Sequence, residues 1–354
     1  MVMNRRGFEM QFHWIFVLIA GAIILFFFFS VVQKQRSISE ERLSITLSTD
    51  IDAVFSSAVE SRGTSQQLTV PESGIAFSCS DVCDCNFWIG KKSTQFKDKI
   101  IFAPGLLNGG KAVAWSLDWK IPFRAANFLF LMNPADRYFF VMDSSNSRSR
   151  DLFARLNRSL PSDVPLSVIS PDDIPNIAPS EGLRYRFVFL DAPSSSPFGL
   201  QESFKNIDVS VVYVNSVDKA VTFYLKDKNH LSFSADSSLF LGDPGIFAAV
   251  FADDKDMFEC GMKKAFGRLS VVSSVLRSRA SSLESEMSSL NRPDCVYSAP
   301  NMDYLADMSD SAKVLSDSSS FVDDRDKFAV IAGAVDSLDG LNANLVQQSC
   351  PWIY

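Results

Sequence analysis

Histidine is almost absent from this chain: there are two in 354 residues, His13 and His230. A Ser-His-Asp centre would have to use His230, which stands in Lys226-Asp227-Lys228-Asn229-His230, a stretch with the composition of a polar hairpin tip. Nucleophilic catalysis of that kind therefore finds no support. A Gly-x-Ser-x-Gly elbow, a phosphate loop and a dinucleotide fingerprint are missing as well. These absences favour a binding or structural protein over an enzyme, with no catalytic residue to nominate. Basic residues are in the minority, 34 Lys and Arg against 41 Asp and Glu, and the part beyond Arg42 is more acidic than the whole. Such a surface does not attract nucleic acid or anionic lipid.

The most consequential absence is local. From Phe12 to Val32 there is no Asp, Glu, Lys or Arg. At ~1.5 Å rise per residue this run spans roughly 31 Å, the thickness of a bilayer's hydrocarbon core, so the lipid bilayer is the first partner. A cleavable secretory signal would be shorter, about 7 to 15 apolar residues ending at small ones. The small tripeptide Ala20-Gly21-Ala22 instead sits mid-run, with Ile23, Ile24, Leu25 and four phenylalanines still to come. The segment reads as an uncleaved anchor. Positive charge flanks it on both sides, Arg5 and Arg6 before and Lys34, Arg36 and Arg42 after, so the positive-inside count is nearly balanced. Cysteine usage breaks the tie: all six lie beyond the span, which suits an oxidising exterior. The expectation is a single-pass protein with a cytoplasmic N-terminus and an extracytoplasmic domain. Asn157-Arg158-Ser159 is its one N-glycosylation sequon.

Arg5-Arg6-Gly7-Phe8 at the head of an apolar helix resembles the N-terminal segment of type IV pilins and related prepilins. The resemblance implies cleavage after Gly7 and packing of the helix within a filament. It departs from the pattern in having Phe12 where those proteins place a Glu five residues after the cut, with Glu9 in the second position instead. Beyond the span, Ile38, Leu43, Leu47, Ile51, Val54 and Ala58 fall mostly three or four residues apart among polar residues. That spacing predicts one long helix from about Phe12 to Val59, its second half packing on the domain it carries or on another protein.

The chain divides by composition. Residues 1–11 form a cytoplasmic flank, 12–32 the membrane helix and 33–60 its amphipathic extension. A β-rich region with three cysteines follows at 61–132, an α/β region at 133–241 and a helical region at 242–354. In the β-rich region Ala112 to Trp119 alternates as a half-buried strand showing Trp115 and Trp119 on one face, most simply as core. In the α/β region, Arg137–Asp143 and Arg184–Asp191 are two similar buried-strand runs, each ending in Asp. Side chains at the carboxyl ends of parallel strands line ligand crevices, which draws attention to Asp143 and Asp191. Asp143-Ser144-Ser145-Asn146-Ser147 moreover resembles the metal-ion adhesion motif of von Willebrand factor A domains. That resemblance implies a divalent cation held by Asp143, Ser145 and Ser147, with Asp191 as a further carboxylate, hard oxygen ligands for a hard ion. The Gly usual in that motif and a clear downstream Thr are missing, and turn or helix-capping roles account for the same serines.

Gly242-Asp243-Pro244 is a helix-start signal with Asp243 as N-cap. The run to Leu290 carries a heptad seam, Met262, Phe266, Leu269, Ser273, Leu276, Ala280, Leu283, Met287 and Leu290, with a bend expected near Gly261 and Gly267. Residues 302–315 and 326–346 can fold back on it as a hairpin or three-helix bundle; the alternative is a protein partner along the 262–290 face. The acidic doublets Asp172-Asp173, Asp253-Asp254 and Asp323-Asp324 read as loop or helix-start charges. Cys79, Cys83 and Cys85 in one region and Cys260, Cys295 and Cys350 in the other are odd in number, so full pairing demands a bridge between regions. The expected set joins Cys295 to Cys350 and Cys79 to Cys83 or Cys85, leaving Cys260 for the remaining thiol. A thiolate metal site lacks a local fourth ligand.

The whole chain resembles a group of uncharacterised single-pass membrane proteins from archaea of small genome size. The resemblance rests on Phe12 to Gly21 with Gln33-Lys34-Gln35, on Lys99 to Pro104, and on Ala249 to Asp254 leading to Cys260–Phe266. It implies location and architecture, not an activity. The fold class expected is α+β: an N-terminal transmembrane helix, a mixed β-sheet ectodomain with an α/β layer, and a helical C-terminal portion. Its expected role is binding or assembly at the cell surface.

Overall fold

Arg5–Glu60 contains no proline and folds as one unbroken helix of 56 residues, α1. The structure is a computed structural model; it describes residues 5–354 apart from 62, 81, 134, 193–197, 298 and 299. Within α1 the side chains of 5–13, 36–41 and 43, and with them the pilin-like flank, lie outside that description. Trp14–Gln35 has a mean hydropathy of 3.0 and none of it is buried, so this stretch is long and apolar enough to cross a membrane. The second half behaves differently. Ile51, Phe55, Ala58 and Val59 are buried, and the Phe55 ring meets Phe87 at 5.5 Å and Phe77 at 6.0 Å. Burying one such ring stabilises by about 1.5–3 kcal/mol. The end of the helix is caught as well: the Val59 carbonyl accepts from Asn127 Nδ2 at 2.9 Å and from Ser116 Oγ at 3.1 Å.

Among the described residues three sheets build the domain. The first has the order β1 (Ser65–Val70), β7 (Gly110–Lys120), β8 (Arg124–Met132), β5 (Ile101–Phe102). The second runs β4 (Lys92–Gln95), β3 (Cys85–Ile89), β2 (Ile75–Cys79), β6 (Leu106–Leu107). The strand carrying both tryptophans, β7, differs from expectation: Ala112 to Ser116 are all buried, because α1 lies on one side of this sheet and the apolar helix α3 (Gly242–Phe251) on the other. Trp115 packs on Phe247 at 5.0 Å, and Trp119 donates to the Leu241 carbonyl.

The third sheet is mixed, with the order β10 (Leu166–Ile169), β9 (Asp136–Met142), β11 (Arg184–Leu190), β12 (Asp208–Asn215), β13 (Ala220–Lys226), β14 (Phe233–Leu239). Its first four strands are parallel, with helix α2 (Ser147–Asn157) between β9 and β10, and β12, β13 and β14 pair antiparallel. Alternation along β11 sends Tyr185, Phe187 and Phe189 to an outer core covered by Ile174, Phe198 and Phe204. Arg184, Arg186, Val188 and Leu190 therefore share the opposite face, toward α3. There Tyr138 meets Phe251 at 5.2 Å.

The C-terminal portion is helical: α4 (Lys255–Ser289), α5 (Asn301–Asp317) and α6 (Arg325–Gln347), with α5 packed on α4 and α6 on α5. The seam of α4 buries Met262, Phe266, Leu269, Ser273, Ala280 and Met287, while Leu290 is exposed. Two expectations are corrected here. Asp243 lies inside α3, whose N-cap Leu241 makes no side-chain bond, and it pairs instead with Arg155 at 2.7 Å. The break falls at Ala252–Asp254, not at the glycines, because the Asp254 carboxylate accepts from the Met257 N–H and starts α4 afresh. Gly261 stays helical and makes room for Phe102: a Cβ there would lie 2.4 Å from that ring. Three disulfides, Cys79–Cys85, Cys83–Cys260 and Cys295–Cys350, close the fold, the second joining the β-rich and helical regions.

Candidate functional site

The two aspartates singled out by sequence stand on neighbouring strands, since Met142 and Leu190 are register partners at the carboxyl ends of β9 and β11. Their carboxylates serve different loops. Asp143 Oδ1 accepts from Ser145 N at 2.8 Å and Ser145 Oγ at 2.7 Å, which holds its carboxyl below the usual range. Asp191, in the left-handed region at φ 46°, accepts from Ser216 N at 2.8 Å and from Ser216 Oγ, in the β12–β13 turn. Ser147 is the exposed first residue of α2, while Asn146 caps that helix by accepting from Arg148 N. Asn146 Nδ2 and Ser149 Oγ then tie the loop to the carbonyls of Asp191 and Leu190. The segment works as a stitched turn.

The opposite, amino end of the same strands holds a denser constellation that sequence reading did not anticipate. Register aligns Asp136, Arg184 and Asp208 in one row across β9, β11 and β12, and Tyr138, Arg186 and Ser210 in the next row inward. Residues two apart share a face, so all six lie on the α3 side of the sheet. Asp136, Arg186 and Ser210 are each only 4% exposed. Charge at such depth must be paired or hydrogen-bonded. Arg186 donates to the carbonyls of Ala249 at 3.2 Å and Asp253 at 3.3 Å, satisfying the carboxyl end of α3. Burial, then the neighbouring Arg184, draws its pKa down to about 10. Arg184 Nη2 lies 2.5 Å from Asp253 Oδ1, and its Nε is 3.7 Å from Asp208 Oδ2. Burial would raise Asp253, but Arg184 and the Gly105 N–H outweigh it and hold that carboxyl low. Gly105 is required for this approach, since a Cβ would stand 2.6 Å from Asp253 Oδ2. Asp136 has the weakest support: its neighbour is the Tyr138 hydroxyl at 3.4 Å, and burial pushes it up to about 6 despite both arginines.

The outer row opens into a cleft of about 510 Å³ whose lining includes Asp136, Arg184, Asp208, Ser210, Asp253 and Lys226. Two of its polar groups are left over. Arg184 Nε and Ser210 Oγ are buried without a hydrogen-bond partner. An unpaired buried donor or acceptor costs about 1–3 kcal/mol, so such groups mark a place where a ligand can supply the partner. The doublet Asp253-Asp254 thus splits: Asp254 caps α4, as doublets do, and Asp253 anchors the cleft. Arg184-x-Arg186 at the head of an apolar strand was the one local signal, two cations placed by the two-residue period on a face otherwise apolar.

The cysteines hold no open metal site. Sγ atoms of Cys79, Cys85 and Cys260 lie within 4.8 Å of one another, but all are consumed in disulfides. His230 is exposed, its Nδ1 3.0 Å from the Lys228 carbonyl. No protein-family model, curated protein or solved structure matches the chain.

Proposed function

We propose that the protein is a membrane-anchored binding protein that presents its domain on the extracytoplasmic side and takes a small amphoteric ligand in the cleft at the amino ends of β9, β11 and β12. The observation carrying this reading is a pair of buried groups with no hydrogen bond, Ser210 Oγ and Arg184 Nε, the latter only in a long 3.7 Å ion pair with Asp208, beside the carboxylates of Asp136 and Asp208. A carboxylate or similar acceptor on the ligand satisfies the first two, and an ammonium satisfies the second two. Free α-amino acids and dipeptides have that chemistry, and the cleft falls within the ~300–1,000 Å³ of small-molecule sites. Three disulfides support the oxidising side.

Thermal unfolding of the full chain in detergent tests the site, with glycine, glutamate and alanyl-alanine as probes and acetate and ethylamine as single-charge controls. A ligand that binds only the folded state at a hundred times its Kd adds about 2.7 kcal/mol. Ser210→Ala removes a hydroxyl that nothing satisfies, so the ligand-free protein keeps or gains stability while the amino-acid shift is lost. Retention of the full shift by that variant, or no shift with any zwitterion, refutes the reading.

A second reading is favoured by α1 itself. One helix with an exposed apolar half and an embedded second half has the division of labour of a pilin-like subunit, whose free half packs against its neighbours in a filament. N-terminal sequencing distinguishes them: a mature chain starting at Phe8 supports filament assembly, and an intact Met1 removes it.

A further inference from the structure

The β3–β4 hairpin has a direction relative to α1. Phe87 packs against Phe55, whereas Gly90, three residues on, lies beside Ser44, eleven residues nearer the membrane segment; a Cβ at Gly90 would sit 3.1 Å from Ser44 Oγ. The far end of β4 agrees, since Gln95 shares a cleft with Ser56 and Glu60. β3 thus runs antiparallel to α1, and the hairpin tip leads back toward Trp14–Gln35. Ser44 is nine helical residues beyond Gln35, about 13.5 Å. Headgroups fill roughly 5–7 Å of that distance. The tip carries Lys91 and Lys92, both exposed.

Neighbouring turns share this edge. Ala76 pairs with Trp88, which puts the 71–74 turn beside Ile89 and brings in exposed Glu72, while exposed Lys111 stands opposite Thr69 at the end of the β1–β7 pair. On the helix below, Lys34 and Arg42 are exposed as well, and the same stretch of sequence carries Arg36, Glu40 and Glu41, a net charge of +1 over residues 34–42. The chain is acidic overall, with a net charge of −7, yet Lys91, Lys92 and Lys111 against Glu72 make this edge locally basic.

We propose that this edge, through Lys91 and Lys92, rests on the anionic headgroups of the leaflet from which α1 emerges and so sets the tilt of the domain. The proposal rests on membrane anchoring by Trp14–Gln35. Each lysine held near an anionic leaflet shifts a docked-to-free ratio by about fivefold, and the effect falls off within a Debye length of ~8 Å at physiological salt.

The test uses the full chain reconstituted in phosphatidylcholine vesicles with and without phosphatidylglycerol, with amine acetylation rates read by mass spectrometry. Lys97, exposed beyond the far end of β4, is the internal control. Acetylation of Lys91 and Lys92 is expected to slow about fivefold or more when phosphatidylglycerol is present and to recover at molar salt, while Lys97 is unchanged. Lys91→Glu with Lys92→Glu, at exposed positions that leave the fold intact, abolishes any lipid dependence of labelling at Lys111. Equal labelling of Lys91 and Lys92 in the two lipids overturns the proposal, as does slowing that ignores salt. Release of the chain from vesicles by alkaline extraction refutes the anchoring itself.

Discussion

Removing the Cys83–Cys260 bridge is the most quantitative test of how the fold is held together. The bridge closes a loop of 177 residues, against 55 for Cys295–Cys350 and 6 for Cys79–Cys85. If disulfides act by restricting the unfolded chain, loop closure gives about 17 cal/mol/K for the longest loop, or about 5 kcal/mol at 25 °C. The same relation gives roughly 4 kcal/mol for the 55-residue loop and roughly 2 kcal/mol for the short one. A loss of about 5 kcal/mol is a large part of the 5–15 kcal/mol typical of a folded domain. The assay is guanidinium unfolding of the full chain in detergent, comparing Cys83→Ser/Cys260→Ser with Cys79→Ser/Cys85→Ser and Cys295→Ser/Cys350→Ser. Midpoints should fall in the order of loop length. A Cys79/Cys85 variant that loses as much as the Cys83/Cys260 variant would refute the chain-entropy argument and locate the stabilisation in native contacts of the cystine.

Asp136→Asn should flatten the pH dependence of stability. The folded-state pKa of about 6 lies above the ordinary 3.8, so its contribution is fully present below pH 3.8 and is lost as pH rises through 6. At neutral pH the Asn variant should be the more stable by up to about 3 kcal/mol in urea titrations; equal pH profiles would show that Asp136 is not penalised by burial. Gly261→Ala drives a methyl into the fully buried Phe102 ring and should cost about 1–3 kcal/mol, read as a lowered denaturation midpoint. Asn127→Ala leaves the Val59 carbonyl with Ser116 alone and should cost about 1–2 kcal/mol, with faster amide exchange in the last turn of α1. Mg²⁺, Ca²⁺ and Mn²⁺ test the cation set Asp143, Ser145, Ser147 and Asp191: both carboxylates already accept hydrogen bonds from their own loops, so the melting temperature should stay unchanged, and a rise would support a bound cation.

What could be read from the chain depended on whether the signal was local. Period and the lack of proline carried α1 across both its halves, and the two similar runs ending in Asp143 and Asp191 are parallel neighbours. The strand β14 carries no clear signal because Ser234 to Ser238 has little apolar alternation; Ser234 to Ser237 are exposed on the sheet edge and only Ser238 and Leu239 are buried. Gly-Asp-Pro at 242–244 is a stronger textual signal for a helix start than Asp254, although only Asp254 makes a side-chain cap. The polar rows were out of reach for a different reason. Asp136, Arg184 and Asp208 become neighbours only through the register of three strands far apart in sequence, which no local pattern encodes.

The absence of any joint between Gln35 and Ser44 makes spacing there a matter of angular phase. Each residue of a helix advances 100° and 1.5 Å, so inserting one residue in this stretch would swing the whole domain by over a quarter turn about the helix axis while barely lifting it. Four residues would bring it back to within about 40° of its starting face but about 6 Å higher. The two series separate height from heading. A function that depends on which side of the domain meets a neighbour or a membrane edge should rise and fall with helical periodicity along such an insertion series, and one that depends only on distance should decline steadily.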